Sequence, residues 1–198
     1  KLSYVLYHEY QLRSGQHVAL FCRNHFVSAL LLPALSRLGV NVKLLNTDLS
    51  NEQLLQLMSR PFALFIYDKE LLQVENIDIS CPQVSCESLL ETIKEQLLTD
   101  NVVLPYITRG GNISVMTGGS SGNYKEAARQ TGIVQFLPPF FSLLRDLHID
   151  SYRSVLIGLP FYHGFGLATL IISLIMGKKL CLLRHFNAEK VLKIVATE

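Results

Sequence analysis

The sequence predicts an α/β protein, with parallel-sheet βαβ layers and flanking helices. Short apolar runs suited to buried strands alternate with longer stretches of helical periodicity through the first third of the chain. Caps, glycines and turn residues fall at the junctions between them. Apolar residues make up 49% of the 198 and charged residues 17%, which excludes a disordered chain and supplies a sizeable core.

Taken in order, "HVALF" (His17 to Phe21) reads as a buried strand. Asn24 is the expected N-cap of a helix running to Leu38, with Gly39 as its stop and Pro33 as a kink inside it. "VKLL" (Val42 to Leu45) is the next strand, Ser50 with Gln53 forms a capping box for a short helix to Ser59, and "FALFIY" (Phe62 to Tyr67) is a third strand. A β-α-β-α-β order implies parallel strands with right-handed crossovers. From Asp68 to Tyr106 the pattern is a turn-rich segment around Pro82, then a helix from Glu87 to Leu98 presenting Leu89, Leu90, Ile93, Leu97 and Leu98 on one face. After a strand-like stretch at Ile113 come a helical segment broken at Pro138–Pro139 and a strand "VLIGL" (Val155 to Leu159). An apolar helix, a strand "KLCLL" (Lys179 to Leu183) and a last helix from about Asn187 complete the pattern.

Several functional classes are disfavoured by composition. Eighteen Lys and Arg against sixteen Asp and Glu give +2 with no basic run, so no nucleic-acid footprint is present. The longest apolar segment, Phe165 to Met176, contains Thr169 and Ser173 and falls short of the roughly 18 residues of a membrane span, so it is expected to be a buried helix. Lys1 to Tyr10 holds His8 and Glu9 where a signal peptide would be apolar, which points to a cytoplasmic protein. Cys22, Cys81, Cys86 and Cys181 contain no C-x-x-C pair and read as reduced thiols, and His17, His25 and His148 have no ligand spacing, so no metal site is expected.

The stretch "ISVMTGGSSGNYKEAARQ" (Ile113 to Gln130) carries the chemistry. Glycines let backbone N–H groups turn toward a ligand, hydroxyls add donors and a lysine adds charge, which together cradle phosphate. Three kinds of phosphate loop compete. A Walker A loop fails, because Gly118 and Gly122 are too close and Asn123-Tyr124 replaces Lys-Ser/Thr. A dinucleotide loop fails because Tyr124 stands where a further glycine belongs, and no tyrosine has a lysine four residues on.

The third reading accounts for more residues. "TGGSSGNYK" (Thr117 to Lys125) resembles T-S-G-S-T-G-K-P-K-G, the phosphate-loop motif of the adenylate-forming (AMP-binding) enzymes, with Thr117, Gly119, Ser120, Gly122 and Lys125 matching and Ser121 replacing another hydroxyl. "LPFYHGFGL" (Leu159 to Leu167) is similar to that family's P-x-x-H-x-x-G segment through Pro160, His163 and Gly166, and the stretch from Gly15 resembles its opening strand and helix. The resemblance implies residues 1–198 as the N-terminal portion of an adenylation domain of the acyl-CoA synthetase kind, within the large N-terminal domain of a ligase.

It also implies a two-step ligation in which ATP activates a carboxylic acid as acyl-adenylate and a thiol of CoA or pantetheine takes the acyl group, with Mg2+ accompanying the ATP. Thr117, Ser120 and Ser121 would give hydroxyl donors, Gly118, Gly119 and Gly122 backbone donors, and Lys125 would offset pyrophosphate charge. His163 would form a polar wall at the carboxylate end of the acyl pocket. Partners would be a small carboxylic acid, in a setting such as fatty acid metabolism, and an acyl carrier protein. With no apolar anchor from Gly119 to Gly122, the loop is expected to fray without phosphate.

The departures are specific. Asn123 removes a lysine, Tyr124 a proline, and Glu126 replaces a glycine with a carboxylate beside the pyrophosphate position. The family's later segments for adenine, ribose and the C-terminal lysine do not occur in the chain, and "KIVATE" reads as mid-helix. Two readings follow: part of a ligase that is inactive without its remaining segments, or a non-catalytic adenylation-like module.

Overall fold

Strand β1 (His17–Phe21) lies at the centre of the sheet, and the alternation of its side chains defines the two faces. The computed structural model describes residues 1–71, 79–95, 104–105, 110–115, 142 and 145–197. Within them, β1 is flanked by β2 (Asn41–Leu44) and β3 (Leu64–Tyr67), with β4 (Gln83–Ser85) and β5 (Ile113–Val115) outside, in the order β4-β3-β1-β2-β5. Every pairing is parallel, with Val18 opposite both Val42 and Leu64. A second, two-stranded sheet pairs β6 (Ser154–Ile157) with β7 (Lys179–Leu182), again in parallel. The expected parallel α/β class is what forms.

Period two divides the core. Val18, Leu20, Val42, Leu44, Leu64 and Ile66 face helices α1 (Leu2–His8), α2 (Phe26–Arg37) and α4 (Cys86–Glu95). Ala19, Phe21 and Phe65 face α3 (Asn51–Met58) through Leu54, Leu57 and Met58. The division follows from handedness: the connections β1 to β2 and β4 to β5 run one way across the sheet and β2 to β3 the other, so right-handed crossovers put their helices on opposite faces.

The ends of the elements follow local chemistry. Ser50 and Gln53 form the expected capping box on α3, Ser50 Oγ accepting from Gln53 N at 3.3 Å. Gly39 takes φ +68°, the left-handed conformation that stops α2. The N-cap of α2 is His25, not Asn24, because the Asn24 side chain is used elsewhere. Helix α1, which buries Leu2, Val5 and Leu6, and strand β4, expected only as a turn-rich segment, were not foreseen as elements.

The apolar helix is α5 (Gly164–Ile175), and the expectation that it is buried is corrected. Only Gly166, Leu170 and Ser173, spaced i, i+4, i+7, are buried, whereas Phe165 and Ile175 are 68% and 76% exposed. Among the described residues, the covered stripe faces β6 and the Leu159–Pro160 backbone. Helix α6 (Ala188–Thr197) closes the element order with no fully buried side chain. The loop from Thr117 to Lys125, the break at Pro138–Pro139, and Leu97 and Leu98 lie outside the described residues.

Candidate functional site

Because the strands of each sheet are parallel, their C-terminal ends gather on one edge, the edge at which open α/β sheets bind ligands. Each strand end there delivers polar side chains. Beyond β1 come Arg23, Asn24 and His25, beyond β2 Thr47, beyond β3 Asp68 and Glu70, beyond β6 the segment Gly158 to Tyr162, and beyond β7 Arg184 and His185. Asp68, Asn24 and Thr47 are buried at 0%, 3% and 8% exposure, so each needs partners.

Those partners tie the two sheets together. Asn24 Nδ2 donates to the Leu159 carbonyl at 2.7 Å, and Asn24 Oδ1 accepts from Phe161 N at 3.0 Å. Thr47 Oγ1 lies 3.3 Å from the Tyr162 hydroxyl. Arg184 reaches back from β7 to Asp68 Oδ2 at 3.4 Å, Glu70 Oε1 at 3.0 Å and Glu87 Oε1 at 3.4 Å. Arg23 Nε meets the same Glu70 oxygen at 3.2 Å.

Asp68 is the hub of this network. Its Oδ2 accepts from Arg23 N at 2.8 Å and its Oδ1 lies 2.7 Å from His25 Nε2. Burial pushes its carboxyl upward, but the His25 and Arg23 hydrogen bonds and the His25 and Arg184 charges outweigh that and hold it below its ordinary value. Burial likewise works to lower His25, yet the hydrogen bonds and charges of Asp68 and Cys86 raise it to about 9. Protonation gives up only the 3.4 Å contact from Ser28 N to His25 Nδ1, which is long, and keeps the short one to Asp68.

Between the sheets the strand ends line an open cleft of about 450 Å³, walled in part by Arg23, Thr47, Tyr162, Arg184, His185 and Phe186. Guanidinium donors, hydroxyls and an aromatic face suit an organic anion with an apolar body. Glu70 and Glu87 offset much of the arginine charge, so recognition there depends on hydrogen-bond geometry more than on a basic field.

Among the residues expected from sequence, His163 is exposed at the N-terminus of α5, its ring 4.9 Å from that of the cleft-lining Tyr162. Gly166 is buried in the first turn of α5, where a Cβ would overlap the carbonyl oxygens of Leu159 and Pro160. Thr117, Gly118, Gly119, Ser120, Ser121, Gly122 and Lys125 lie outside the described residues, but Val115, two positions before Thr117, pairs with Leu44 and so ends β5 on the ligand edge. Asp68 and Arg184 were not singled out from sequence, and Asn24 only as a helix cap, although each is a polar residue just beyond an apolar strand run.

Cys22, Asp68 and Cys86 bring a potential ligand atom each to within 4.8 Å of one another. Both Asp68 oxygens already accept hydrogen bonds and Arg184 faces one of them, so a hard cation such as magnesium does not fit there.

No family model matches the chain. The 2-succinylbenzoate–CoA ligase of Bacillus licheniformis is 28% identical over 197 residues, covering 93% of this chain and 38% of the relative. That of Oceanobacillus iheyensis is 28% identical over 185 residues, covering 90% and 36%. The chain thus spans well under half the length of these curated relatives. The fold superposes on o-succinylbenzoate CoA synthetase (MenE) from Bacillus subtilis in complex with its acyl-adenylate intermediate, with TM-score 0.76, 20% identity and coverage of 99% of this chain and 50% of that one. It matches ATP-bound MatB from Rhodopseudomonas palustris with TM-score 0.76, 17% identity and coverage of 99% and 40%. The named acid of the curated relatives is an aryl keto-acid, which gives no support to a fatty-acid setting. The chain is thus similar in sequence to 2-succinylbenzoate–CoA ligases over somewhat more than a third of their length, and its parallel sheet with flanking helices has the fold of the corresponding part of adenylate-forming ligases.

Proposed function

We propose that the protein containing this chain is an ATP-dependent acid–thiol ligase. An oxygen of the substrate carboxylate attacks the α-phosphorus of ATP, pyrophosphate leaves, and the acyl group passes as an acyl-adenylate to a thiol of CoA or a pantetheine arm, releasing AMP. The observation that carries the reading is the pair of relatives named as CoA ligases, together with the phosphate-type loop that follows β5.

Within that reading the residues divide the work. Thr117, Ser120 and Ser121 donate hydroxyls and Gly118, Gly119 and Gly122 backbone N–H groups to the β- and γ-phosphates, and Lys125 offsets the charge developing on pyrophosphate. The cleft between the sheets takes the acid's organic body, with Tyr162 fixed by Thr47 as part of the wall and His163 at its margin. Magnesium supplies charge neutralisation to the triphosphate, and no described residue is assigned to it. An aryl acid resembling 2-succinylbenzoate is the first substrate to try.

The test is carboxylate-dependent exchange of pyrophosphate into ATP by the full-length protein over a panel of aryl and alkyl acids. Exchange with an aryl acid supports the reading. A second reading, a non-catalytic module, is favoured by Asn123, Tyr124 and Glu126, which take charge and flexibility from the loop, and exchange with no acid would select it. The 198-residue chain alone is expected to give no exchange.

A further inference from the structure

Cys22 and Cys86 are 64 positions apart in sequence, yet their sulfurs lie 3.4 Å apart. Both are buried, at 8% and 2% exposure, and neither takes part in the proposed ligation. Cys22 follows directly on β1. Cys86 opens α4 just after Ser85, whose Oγ accepts from Ser88 N at 3.0 Å as the helix cap, so its sulfur sits where a helix favours negative charge. Asp68 holds His25 beside Cys86. The hydrogen bond shared with Cys22, and then the His25 ring, hold the Cys86 thiol below its ordinary value against its own burial, whereas burial pushes Cys22 up.

Access to this pair is restricted by size. Cys22 borders a cavity of about 10 Å³, shared with Ser28, Leu44, Phe161 and Tyr162. That is about the room one water molecule needs, so beside Cys22 there is space only for a very small oxidant and none for a bulky disulfide.

We propose that Cys22 and Cys86 are a dithiol that hydrogen peroxide oxidises to an internal disulfide. Peroxide in the small cavity meets Cys22, whose proton passes by way of the Cys86 thiolate to the departing hydroxide. The Cys22 S–O bond forms as the O–O bond breaks, leaving a sulfenic acid and one water. The Cys86 thiolate then attacks the Cys22 sulfur, the S–S bond forms and the S–O bond breaks, and His25 protonates the leaving hydroxide to the second water. Two thiols and one peroxide give one disulfide and two waters, the sulfurs together losing two electrons. Closing from 3.4 Å to the roughly 2.05 Å of a disulfide is a small side-chain movement.

The test treats purified protein with equimolar peroxide and reads intact mass and peptide maps. The expected result is loss of two hydrogens and a Cys22–Cys86 linked peptide, with Cys81 and Cys181 still alkylated by iodoacetamide. In Cys86→Ser, which lacks both the proton relay and the resolving sulfur, Cys22 should oxidise more slowly than in wild type and stop at one added oxygen, captured by dimedone added together with denaturant; in Cys22→Ser, Cys86 should stay reduced. The wild-type map decides the matter even if a variant fails to fold. Oxidation of Cys81 or Cys181 ahead of an intact Cys22–Cys86 pair overturns the proposal. So does an equimolar zinc ion retained by the pair that leaves both thiols unreactive, since that would make the cluster a metal site.

Discussion

Asn24 and Phe161 are fastened together across 137 positions of sequence: the Asn24 carboxamide accepts from Phe161 N at 3.0 Å and donates to the Leu159 carbonyl at 2.7 Å. This one side chain substitutes for a strand partner between two sheets that share no ladder, and it sets the position of the segment leading to His163.

Asn24→Ala is expected to leave the buried Phe161 N–H without a partner and to release the part-buried Leu159 carbonyl, costing roughly 1–3 kcal/mol. Asn24→Asp keeps an acceptor for Phe161 N and loses the donor to Leu159, so it should fall between the two. Urea unfolding with an unchanged m-value measures the loss, and a change below about 0.5 kcal/mol would mean the bridge does not hold the sheets.

Gly166→Ala should also destabilise, because its Cβ would overlap the backbone oxygens of Leu159 and Pro160, which cannot rotate away. Overpacking of this kind costs about 1–3 kcal/mol. Gly164, where a Cβ meets nothing within 4 Å, is the control and should tolerate alanine far better. Amide exchange in α5 reads the difference locally.

The His25–Asp68 pair makes stability depend on pH from both sides. His25 is raised from 6.5 to about 9, so its contribution is complete below about pH 6.5 and is lost as pH rises through 9. Asp68 is lowered from 3.8, so its contribution is complete above that value and is lost as pH falls through its folded pKa. Cys86, lowered from 9.0, gains over part of the alkaline window, so the measurement belongs in a Cys86→Ser background. There, denaturant unfolding at pH 6 and pH 9 should differ by on the order of 2 kcal/mol, and Asp68→Asn should largely abolish the difference.

The elements that sequence made legible were those with a local signal. The Ser50–Gln53 box and Gly39 each satisfy a rule that needs only their neighbours, and both formed as read. Asn24 was assigned as a helix cap by the same logic, and failed because its side chain serves residues far along the chain while His25 takes the cap. The three-residue strand β4 was missed because its pattern is too short to display alternation. Sequence offered motifs around Thr117 and His163, the first of them outside the described residues, but not the Asp68 network, whose acids and bases come from β1, β3, α4 and β7 and meet only after folding.

The central claim is that the loop from Thr117 to Lys125 handles pyrophosphate. Removing the misplaced carboxylate by Glu126→Gly should tighten ATP binding, and the gain should shrink in high salt because part of it is Coulombic. The most direct measurement is acid-dependent pyrophosphate exchange by the full-length protein with Lys125→Ala beside it. The loss of a charge-assisted contact that strengthens as the leaving group develops charge should slow adenylation by roughly tenfold to a thousandfold with folding nearly unchanged. A full-length enzyme that adenylates its acid at the same rate with and without Lys125 would contradict the assignment.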